Sequence, residues 1–327
     1  MTLPFTLLID PEPADSTRTD FVDTFHEIDS GAPALRVAEL STQRGDGIFE
    51  TLSVVNGHPQ EVEPHISRLI NSAQICDLPV PNPAQWRAAI AYAVARIPGE
   101  GELALKFVLS RGVEHGPAPT AWLHATRAAD FTAVRENGIR VITLDRGYPR
   151  GVAEQAPWLL MGAKTLSYAV NMAALREAKR RGADDTIFLT HDGYVMEGPT
   201  SSVILRIDGR YVTPAPSGAI LHGTTQQSVF EYLKEHGQSV EYRDVTVDEL
   251  RAADAAWLVS SVRLAVAVTA LDGVEFPHDL ELPVPERFPA GPNRRLTRPP
   301  PRERCCGCFA GAEVTVRPLS RDGAPAR

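Results

Sequence analysis

Turn signals between strand-like runs place the strongest constraint on how this chain can fold. The dipeptides Asn56-Gly57, Asp192-Gly193 and Asp208-Gly209 each separate two apolar, β-branched runs. Asn-Gly and Asp-Gly pairs supply the positive backbone angles that tight hairpin turns require. Because hairpins join antiparallel strands, the pattern predicts an α+β architecture and argues against a doubly wound parallel sheet.

Helical segments alternate with these hairpins. Apolar residues at helical spacing predict helices at residues 64–78, 83–97, 165–182 and 223–235. Apolar runs predict further strands at residues 103–110, 121–126, 140–145, 255–260 and 264–269. Residues 1–24 are polar and contain prolines, so we expect an irregular lead-in there.

Length and composition suggest how the chain is divided. Its 327 residues suit one large domain or two medium ones. We predict a small N-terminal domain at residues 1–128, an interdomain linker at 129–138 and a larger domain at 139–282. Residues 283–327 are rich in Pro, Arg and Gly without a sustained apolar period, which predicts a disordered tail.

Charge and composition also exclude several kinds of partner. The net charge of -8 argues against nucleic acid, and no apolar run approaches the roughly 20 residues of a membrane span. The first residues lack the basic segment of a signal peptide. Three of the 4 cysteines lie together in the tail, and the histidines show no metal-binding spacing. We expect a cytoplasmic protein with no metal, no membrane and no nucleic acid.

Lys164 is the first candidate for chemistry. It follows Gly162 and Ala163, has no acidic neighbour, and precedes a predicted helix. An amine is nucleophilic only when it is unprotonated, and burial at the mouth of a helix would favour that form. A solvated lysine at a helix start is the alternative, and it is the commoner situation for a lysine considered alone.

A carboxylate and an arginine are further candidates. Glu197 ends a predicted hairpin before Gly198-Pro199, where it would be fixed well enough to hold a protonated pyridine nitrogen. Arg68 lies among the apolar residues of the 64–78 helix, and its guanidinium suits phosphate oxygens. The alternatives are an exposed turn glutamate and a surface arginine with a buried stem.

A possible phosphate site begins the 223–235 helix. Free backbone N–H groups, the hydroxyls of Thr224 and Thr225 and the helix dipole would together attract an anion. Ser261 follows a predicted buried strand and would add another hydroxyl. Ordinary helix capping and an ordinary strand end are the alternatives. Asp46 and Glu50 would lie roughly 13 Å apart on a strand, too far for a directly acting pair of glycosidase carboxylates.

The order of these segments resembles the class IV pyridoxal-phosphate enzymes. That family contains branched-chain, D-amino-acid and (R)-amine aminotransferases as well as aminodeoxychorismate lyase. The resemblance covers about residues 25–273 and rests on RGDGIFET, EPHISRL, KFVLSRG, GAKTLSYAVNMAALREAKRRGADDTIFL, DGYVMEGPTSSVIL and ILHGTTQQSVFEYL. It implies fold type IV, with a small α/β domain and a larger, β-barrel-like domain, in a homodimer that uses pyridoxal 5′-phosphate.

The resemblance also implies roles for single residues. Lys164 matches the lysine that forms the imine with the cofactor, and Glu197 matches the carboxylate on the pyridine nitrogen. Tyr168 matches a tyrosine near the phenolic oxygen of the cofactor. The matching phosphate ligands are Arg68, Thr224, Thr225 and Ser261.

The segments around the implied substrate site differ between family members. Thr51 matches a threonine that the lyase places near its substrate, whereas branched-chain enzymes usually carry glycine there. Arg111 and His115 occur where D-amino-acid aminotransferases have a carboxylate trap, but with a different spacing. The implied activity is amino-group transfer between an amino acid or amine and a 2-oxo acid. The alternatives are aminodeoxychorismate lyase, which forms 4-aminobenzoate and pyruvate, and a non-catalytic member of the fold.

Overall fold

An antiparallel sheet forms the first part of the chain. The computed structural model describes residues 3–216 and 219–283, and within them this sheet has the order β2-β1-β6-β5-β3-β4. Its strands are β1 (Phe5–Ile9), β2 (Phe25–Ile28), β3 (Gly47–Val55), β4 (His58–Pro59), β5 (Glu102–Ser110) and β6 (Thr120–Arg127). The accompanying helices are α1 (Leu40–Gln43), α2 (Val62–Ile75) and α3 (Pro83–Val94), and a 3-10 turn spans Val22–Thr24.

A mixed sheet forms the second part, in the order β11-β10-β9-β12-β13-β7-β8 with β14 beside β13. Its strands are β7 (Ile139–Asp145), β8 (Asp185–Leu189), β9 (Ser202–Ile207), β10 (Arg210–Pro214), β11 (Val240–Arg243), β12 (Ala255–Ser260), β13 (Leu264–Leu271) and β14 (Val274–Glu275). The helices are α4 (Thr132–Asn137), α5 (Val152–Gln155), α6 (Ala169–Arg180), α7 (Thr224–Glu235) and α8 (Val247–Ala252), with a 3-10 turn at Pro157–Leu159.

The second sheet curls toward a barrel. Val195 forms a β-bridge with Leu189 at the end of β8. The same residue donates its N–H to the carbonyl of Val245, just beyond β11, at 2.8 Å. Since β8 and β11 are the two ends of the strand order, this segment links the opposite edges of the sheet.

The predicted hairpin turns are confirmed. Asn56 and Gly57 have φ values of 47° and 78° between β3 and β4. Asp208 and Gly209 have φ values of 49° and 73° between β9 and β10. Positive φ at both central residues is the geometry that Asn-Gly and Asp-Gly favour.

Alternation along β3 decides which side chains face the first core. Ile48, Leu52 and Val54 are fully buried in the cluster that the sheet forms with α2 and α3. Because successive side chains of a strand point to opposite faces, Glu50 lies on the same face as these apolar residues and is also fully buried. The strand therefore carries a carboxylate into an otherwise apolar layer.

Two sequence predictions need correction. Residues 5–9 are strand β1, not an irregular lead-in, because they pair with β2 and with residues 121–125 of β6, which are remote in sequence. The helix predicted at 165–182 begins only at Ala169.

The predicted division of the chain stays a prediction. The first sheet ends at Arg127 and the second begins at Ile139, while α4 occupies most of the predicted linker. Except for Pro283, the predicted disordered tail lies outside the described residues.

Candidate active site

Backbone pairing with β3, rather than a helix start, positions Lys164. The N–H of Phe49 donates to the carbonyl of Lys164 at 2.9 Å, and the N–H of Leu166 donates to the carbonyl of Gly47 at 2.8 Å. The N–H of Lys164 donates to the hydroxyl of Ser72 on α2 at 3.1 Å. The expectation of a lysine at the mouth of a helix was therefore wrong, because pairing with β3 keeps the backbone extended through Leu166.

Gly47 permits this close approach. A Cβ atom at Gly47 would lie 2.8 Å from the side chain of Leu166 and 2.9 Å from the carbonyl oxygen of Leu109. Both distances are shorter than carbon atoms tolerate. A side chain here would push the Lys164 segment away from β3.

Lys164 opens into a cavity of about 630 Å³. This volume suits a small-molecule ligand, for which pockets of roughly 300–1,000 Å³ are usual. The lining combines residues of both sheets, including Phe49, Thr51, Arg68, Lys164, Tyr168, Glu197, Thr224, Thr225 and Ser261. The cavity thus unites all of the predicted site residues except Arg111 and His115.

The environment of Lys164 favours its neutral amine. Burial, followed by the positive charge of Arg68, lowers the pKa of Lys164 to about 8. Its Nζ lies 4.6 Å from the centre of the Phe49 ring and 5.6 Å from that of Tyr168. With this pKa about a tenth of the amine is unprotonated at pH 7, far more than for a solvated lysine.

Glu197 has the opposite displacement. Burial raises its pKa to about 7, although the N–H of Leu221 donates to its Oε2 at 3.1 Å and Lys164 and Arg146 lie near enough to oppose the shift. A carboxylate with this pKa changes its charge readily when a cation approaches. It can therefore accept a hydrogen bond from a protonated ring nitrogen.

Arg68 is held by an acid that the sequence did not single out. Its Nε and Nη2 donate to the two carboxylate oxygens of Glu50 at 2.6 and 2.7 Å, and its Nη1 donates to the carbonyl of His222 at 3.2 Å. Burial alone would raise the pKa of Glu50, but the charge and hydrogen bonds of Arg68 outweigh it and lower that pKa to about 2. Two of the five guanidinium N–H bonds remain for a ligand in the cavity.

A group of hydroxyls surrounds the start of α7. The Ser261 hydroxyl lies 3.3 Å from that of Thr224 and 3.4 Å from that of Thr225. Gly223 caps the helix without a side-chain hydrogen bond from any described residue, so the first backbone N–H groups face outward. A Cβ at Gly223 would lie 2.2 Å from the Ser202 hydroxyl oxygen, which explains the glycine.

These groups fit pyridoxal 5′-phosphate. The amine of Lys164 suits its aldehyde, and Glu197 suits its ring nitrogen. The helix start, the hydroxyls and Arg68 suit its phosphate. Tyr168 contacts Phe49 edge to face at 5.3 Å, and burial raises the pKa of its hydroxyl.

The remaining predicted substrate residues lie apart. Arg111 donates to the carboxylate of Asp46 at 2.7 Å and to the carbonyl of Cys76 at 2.8 Å. His115 is exposed. Among the described residues, the cavity therefore includes Thr51 but neither member of the predicted carboxylate trap.

Two arginines of the cavity were missed by the sequence analysis. Arg146 has a buried Nη1, and Arg263 has buried Nε and Nη2 atoms, with no hydrogen-bond partner among the described residues. Arg263 is oriented by an ion pair with buried Asp185 at 2.7 Å. Buried N–H groups are normally satisfied, so these two side chains indicate a ligand with anionic or carbonyl oxygens. The sequence offered only their places after β7 and β12 as a signal.

Neither a metal centre nor a membrane span is found in the described ranges. Within residues 3–216 and 219–283, no group of three or more His, Cys, Asp or Glu side chains could hold a metal ion. Within the same ranges, no helix has the length and apolar character needed to cross a bilayer.

The raised pKa of Glu197 predicts a pH-dependent effect of Glu197→Gln on the cofactor-free protein. Below about pH 4.5 the wild-type carboxyl is protonated both folded and unfolded. Between pH 4.5 and 7 it ionises more readily when unfolded, so the wild type loses stability that the amide variant keeps. We expect the variant to be more stable by on the order of 2 kcal/mol at pH 8 and by almost nothing at pH 4.5.

Urea unfolding of cofactor-free protein at several pH values between 4.5 and 8 measures this difference. Glu235→Gln, at an exposed position on α7, is the matched control and should show no such trend. A Glu197→Gln variant whose relative stability does not change with pH would contradict the assignment of a buried, neutralisable acid.

Comparison with known proteins identifies the family. The family described as Amino-transferase class IV matches residues 47–271. A bifunctional aminodeoxychorismate lyase / D-amino acid transaminase of Mycobacterium tuberculosis is 44% identical over 270 residues, covering 79% of this chain and 92% of that protein. These matches confirm that the chain is an enzyme, so the non-catalytic alternative is not retained.

Solved structures agree with this relationship. A fold IV transaminase from Curtobacterium pusillum has a TM-score of 0.80 and 48% identity, covering 85% of this chain and 95% of that one. The PLP-bound form of a hypothetical aminotransferase from Mycobacterium tuberculosis has a TM-score of 0.76 and 40% identity, covering 84% and 93%. Fold type IV and pyridoxal phosphate as cofactor are thereby confirmed. The chain belongs to the class IV aminotransferases.

Proposed function

We propose that this enzyme transfers an amino group between an amino acid and a 2-oxo acid, with Lys164 as its catalytic residue. The observation that carries the proposal is the amine of Lys164, whose pKa of about 8 lies far below that of a solvated lysine. It shares one cavity with a neutralisable acid and a helix start that suits phosphate.

Lys164 would act twice. Its neutral amine binds the cofactor's aldehyde carbon covalently and is displaced by the amine of the substrate. The released Nζ is then a base within the cavity, where it takes the proton from the substrate's α-carbon. Pyridoxal phosphate supplies, when bound, an electron-accepting ring that stabilises the negative charge left on that carbon.

The other side chains of the cavity hold and orient. Glu197 keeps a proton on the ring nitrogen, and a cation there would favour its ionised form over the neutral one. Arg68, Thr224, Thr225 and Ser261 would grip the phosphate, with Glu50 fixing the plane of the Arg68 guanidinium. Tyr168 would lie near the phenolic oxygen and orient the ring.

Carboxylate substrates are favoured over neutral amines. The unsatisfied N–H groups of Arg146 and Arg263 line the cavity, and arginine binds carboxylates through paired N–H bonds. The mycobacterial relative is named for a D-amino acid transaminase activity, which supports D-amino acids as the first donors to examine.

Aminodeoxychorismate lyase is the second candidate. It is favoured by the other activity in the name of the same relative and by Thr51, which lines the cavity. Lys164 would take a proton from the substrate in the same way. The product side differs, because pyruvate is eliminated and no oxo-acid acceptor is consumed.

Acceptor-free assays separate the two activities. With a D- or L-amino acid alone, a transaminase should form one equivalent of oxo acid per site and then stop, with a matching change in cofactor absorbance. With aminodeoxychorismate alone, a lyase should release pyruvate over many turnovers. Lys164→Ala should lower either rate by about 10³-fold or more, because it removes both the nucleophile and the base.

The outcomes are distinct. Oxo-acid formation with an amino acid supports the transaminase, and sustained pyruvate release supports the lyase as an additional or principal activity. A holoenzyme that reacts with no amino acid in the panel would reject the transaminase proposal. Undiminished turnover by Lys164→Ala would reject the role of Lys164.

We further propose a homodimer in which a second copy covers the mouth of the cavity. Trp158 lines the cavity and is 73% exposed, and Val170 and Met172 beside cavity residue Asn171 are 59% and 44% exposed. Exposed large apolar side chains around a functional site are typical of an interface. The resemblance to the family also implies a dimer, and a cytoplasmic location remains the expectation from the sequence.

Light scattering on the eluted protein tests the assembly. We expect twice the 35.6 kDa mass of the chain, and replacement of Trp158 by Ser should weaken association because it removes apolar contact area. A wild-type mass equal to that of one chain at micromolar concentration would contradict the dimer.

A further inference from the structure

His65 is buried between an acid and the hydroxyls at the start of α7. Its Nδ1 lies 2.7 Å from Oε2 of Glu50. Its Nε2 lies 3.2 Å from the hydroxyl of Ser261 and 3.4 Å from that of Thr224. The imidazole is fully buried, so it connects the ion pair of Arg68 directly with the proposed phosphate ligands.

The acid fixes one proton of the ring. With a pKa lowered to about 2, the carboxylate of Glu50 is ionised and can only accept. Nδ1 therefore carries a hydrogen and donates it to Glu50. In the neutral ring Nε2 has no hydrogen, so it can only accept from the hydroxyls of Ser261 and Thr224.

This arrangement sets a direction for the hydroxyl hydrogens. A hydroxyl group has a single hydrogen to donate. A serine or threonine that donates to Nε2 cannot donate the same hydrogen to a phosphate oxygen. When Nε2 carries a hydrogen, the hydroxyls accept from it and their own hydrogens become available to an anion.

Charge balance favours the second state when phosphate is present. Arg68 is already neutralised by its two hydrogen bonds to Glu50, so an arriving dianion finds little uncompensated positive charge around His65. The charged groups that face the ring are Glu50 from β3, Arg68 from α2 and Lys164 from its extended segment. In their presence alone burial, together with Arg68 and Lys164, lowers the pKa of His65 despite Glu50.

We propose that His65 is a positioning residue that binds a proton at Nε2 when the phosphate group of the cofactor binds, and so turns the hydroxyls of Ser261 and Thr224 toward the phosphate. The proton comes from solvent, one N–H bond forms at Nε2, and the Nδ1 hydrogen bond to Glu50 is unchanged. The inference rests on the proposed function only in placing a phosphate ester at the start of α7.

Proton uptake on binding is the direct test. Cofactor-free protein is titrated calorimetrically with pyridoxamine 5′-phosphate at pH 8, in buffers of different ionisation enthalpy. This ligand has no aldehyde to react with Lys164, and its phosphate is already dianionic, since the second pKa is about 6. We expect wild type to take up about one proton more than His65→Gln, because the other titrating groups are common to both proteins.

A second variant and a spectroscopic signal protect the test. In His65→Asn the shorter amide can still donate to Glu50 but cannot reach Ser261, and it should lose the extra proton in the same way. In ¹⁵N-histidine-labelled wild type, the ligand should convert the His65 signals from one protonated nitrogen to two. A purely structural role of His65 would change neither the proton count nor these signals.

Each outcome decides the question. A larger proton uptake by wild type, with two protonated nitrogens at His65, supports the inference. Binding with equal proton uptake in wild type and both folded variants, or a His65 ring that stays neutral, overturns it and leaves the proposed function intact. Failure of wild type to bind pyridoxamine 5′-phosphate overturns the inference and the proposed function together.

Discussion

The active site depends on the pairing of the Lys164 segment with β3. Two backbone hydrogen bonds across Gly47, Phe49, Lys164 and Leu166 join a residue of the second half of the chain to a strand of the first sheet. Without this pairing the reactive amine would have no fixed position relative to the rest of the cavity. The pairing in turn requires a residue without a side chain at position 47.

The same strand serves both the chemistry and its support. Phe49 and Thr51 line the cavity, and the ring of Phe49 lies against the amine of Lys164. Glu50, between them in sequence, points to the opposite face and anchors Arg68 and His65. Strand alternation thus places the reactive layer and its electrostatic support on three consecutive residues.

Two buried carboxylates acquire different properties from their partners. Glu50 accepts hydrogen bonds from a guanidinium and an imidazole, which lower its pKa to about 2. Glu197 accepts one backbone N–H, and burial raises its pKa to about 7. The first is a permanent anion that orients neighbouring cations, whereas the second can change its charge with a ligand. Such separation of pKa values is a common feature of catalytic sites.

Features encoded locally could be predicted from the sequence. The Asn-Gly and Asp-Gly turns, the helix that begins after Gly223 and strand β12 all appear where local patterns placed them. Strand β1 could not be recognised, because its pairing partner in β6 is more than a hundred residues away.

The site was partly predictable for the same reason. The ordered motifs led to Lys164, Glu197 and the residues around Thr224, which the structure brings into one cavity. Glu50 was weighed only against Asp46, its neighbour along the strand. Its actual partners come from α2, and only packing reveals them. Arg146 and Arg263 gave no signal beyond a basic residue after a strand.

The covalent attachment of the cofactor to Lys164 is the central claim, and the chain makes it unusually easy to examine. Only three other lysines occur, at positions 106, 179 and 234. Protein loaded with pyridoxal phosphate would be reduced with borohydride, digested and mapped by mass spectrometry. The account predicts a phosphopyridoxyl group on the peptide containing Lys164 in near-stoichiometric amount. A fully loaded protein with no adduct there, or with its adduct on Lys106, Lys179 or Lys234, would contradict it.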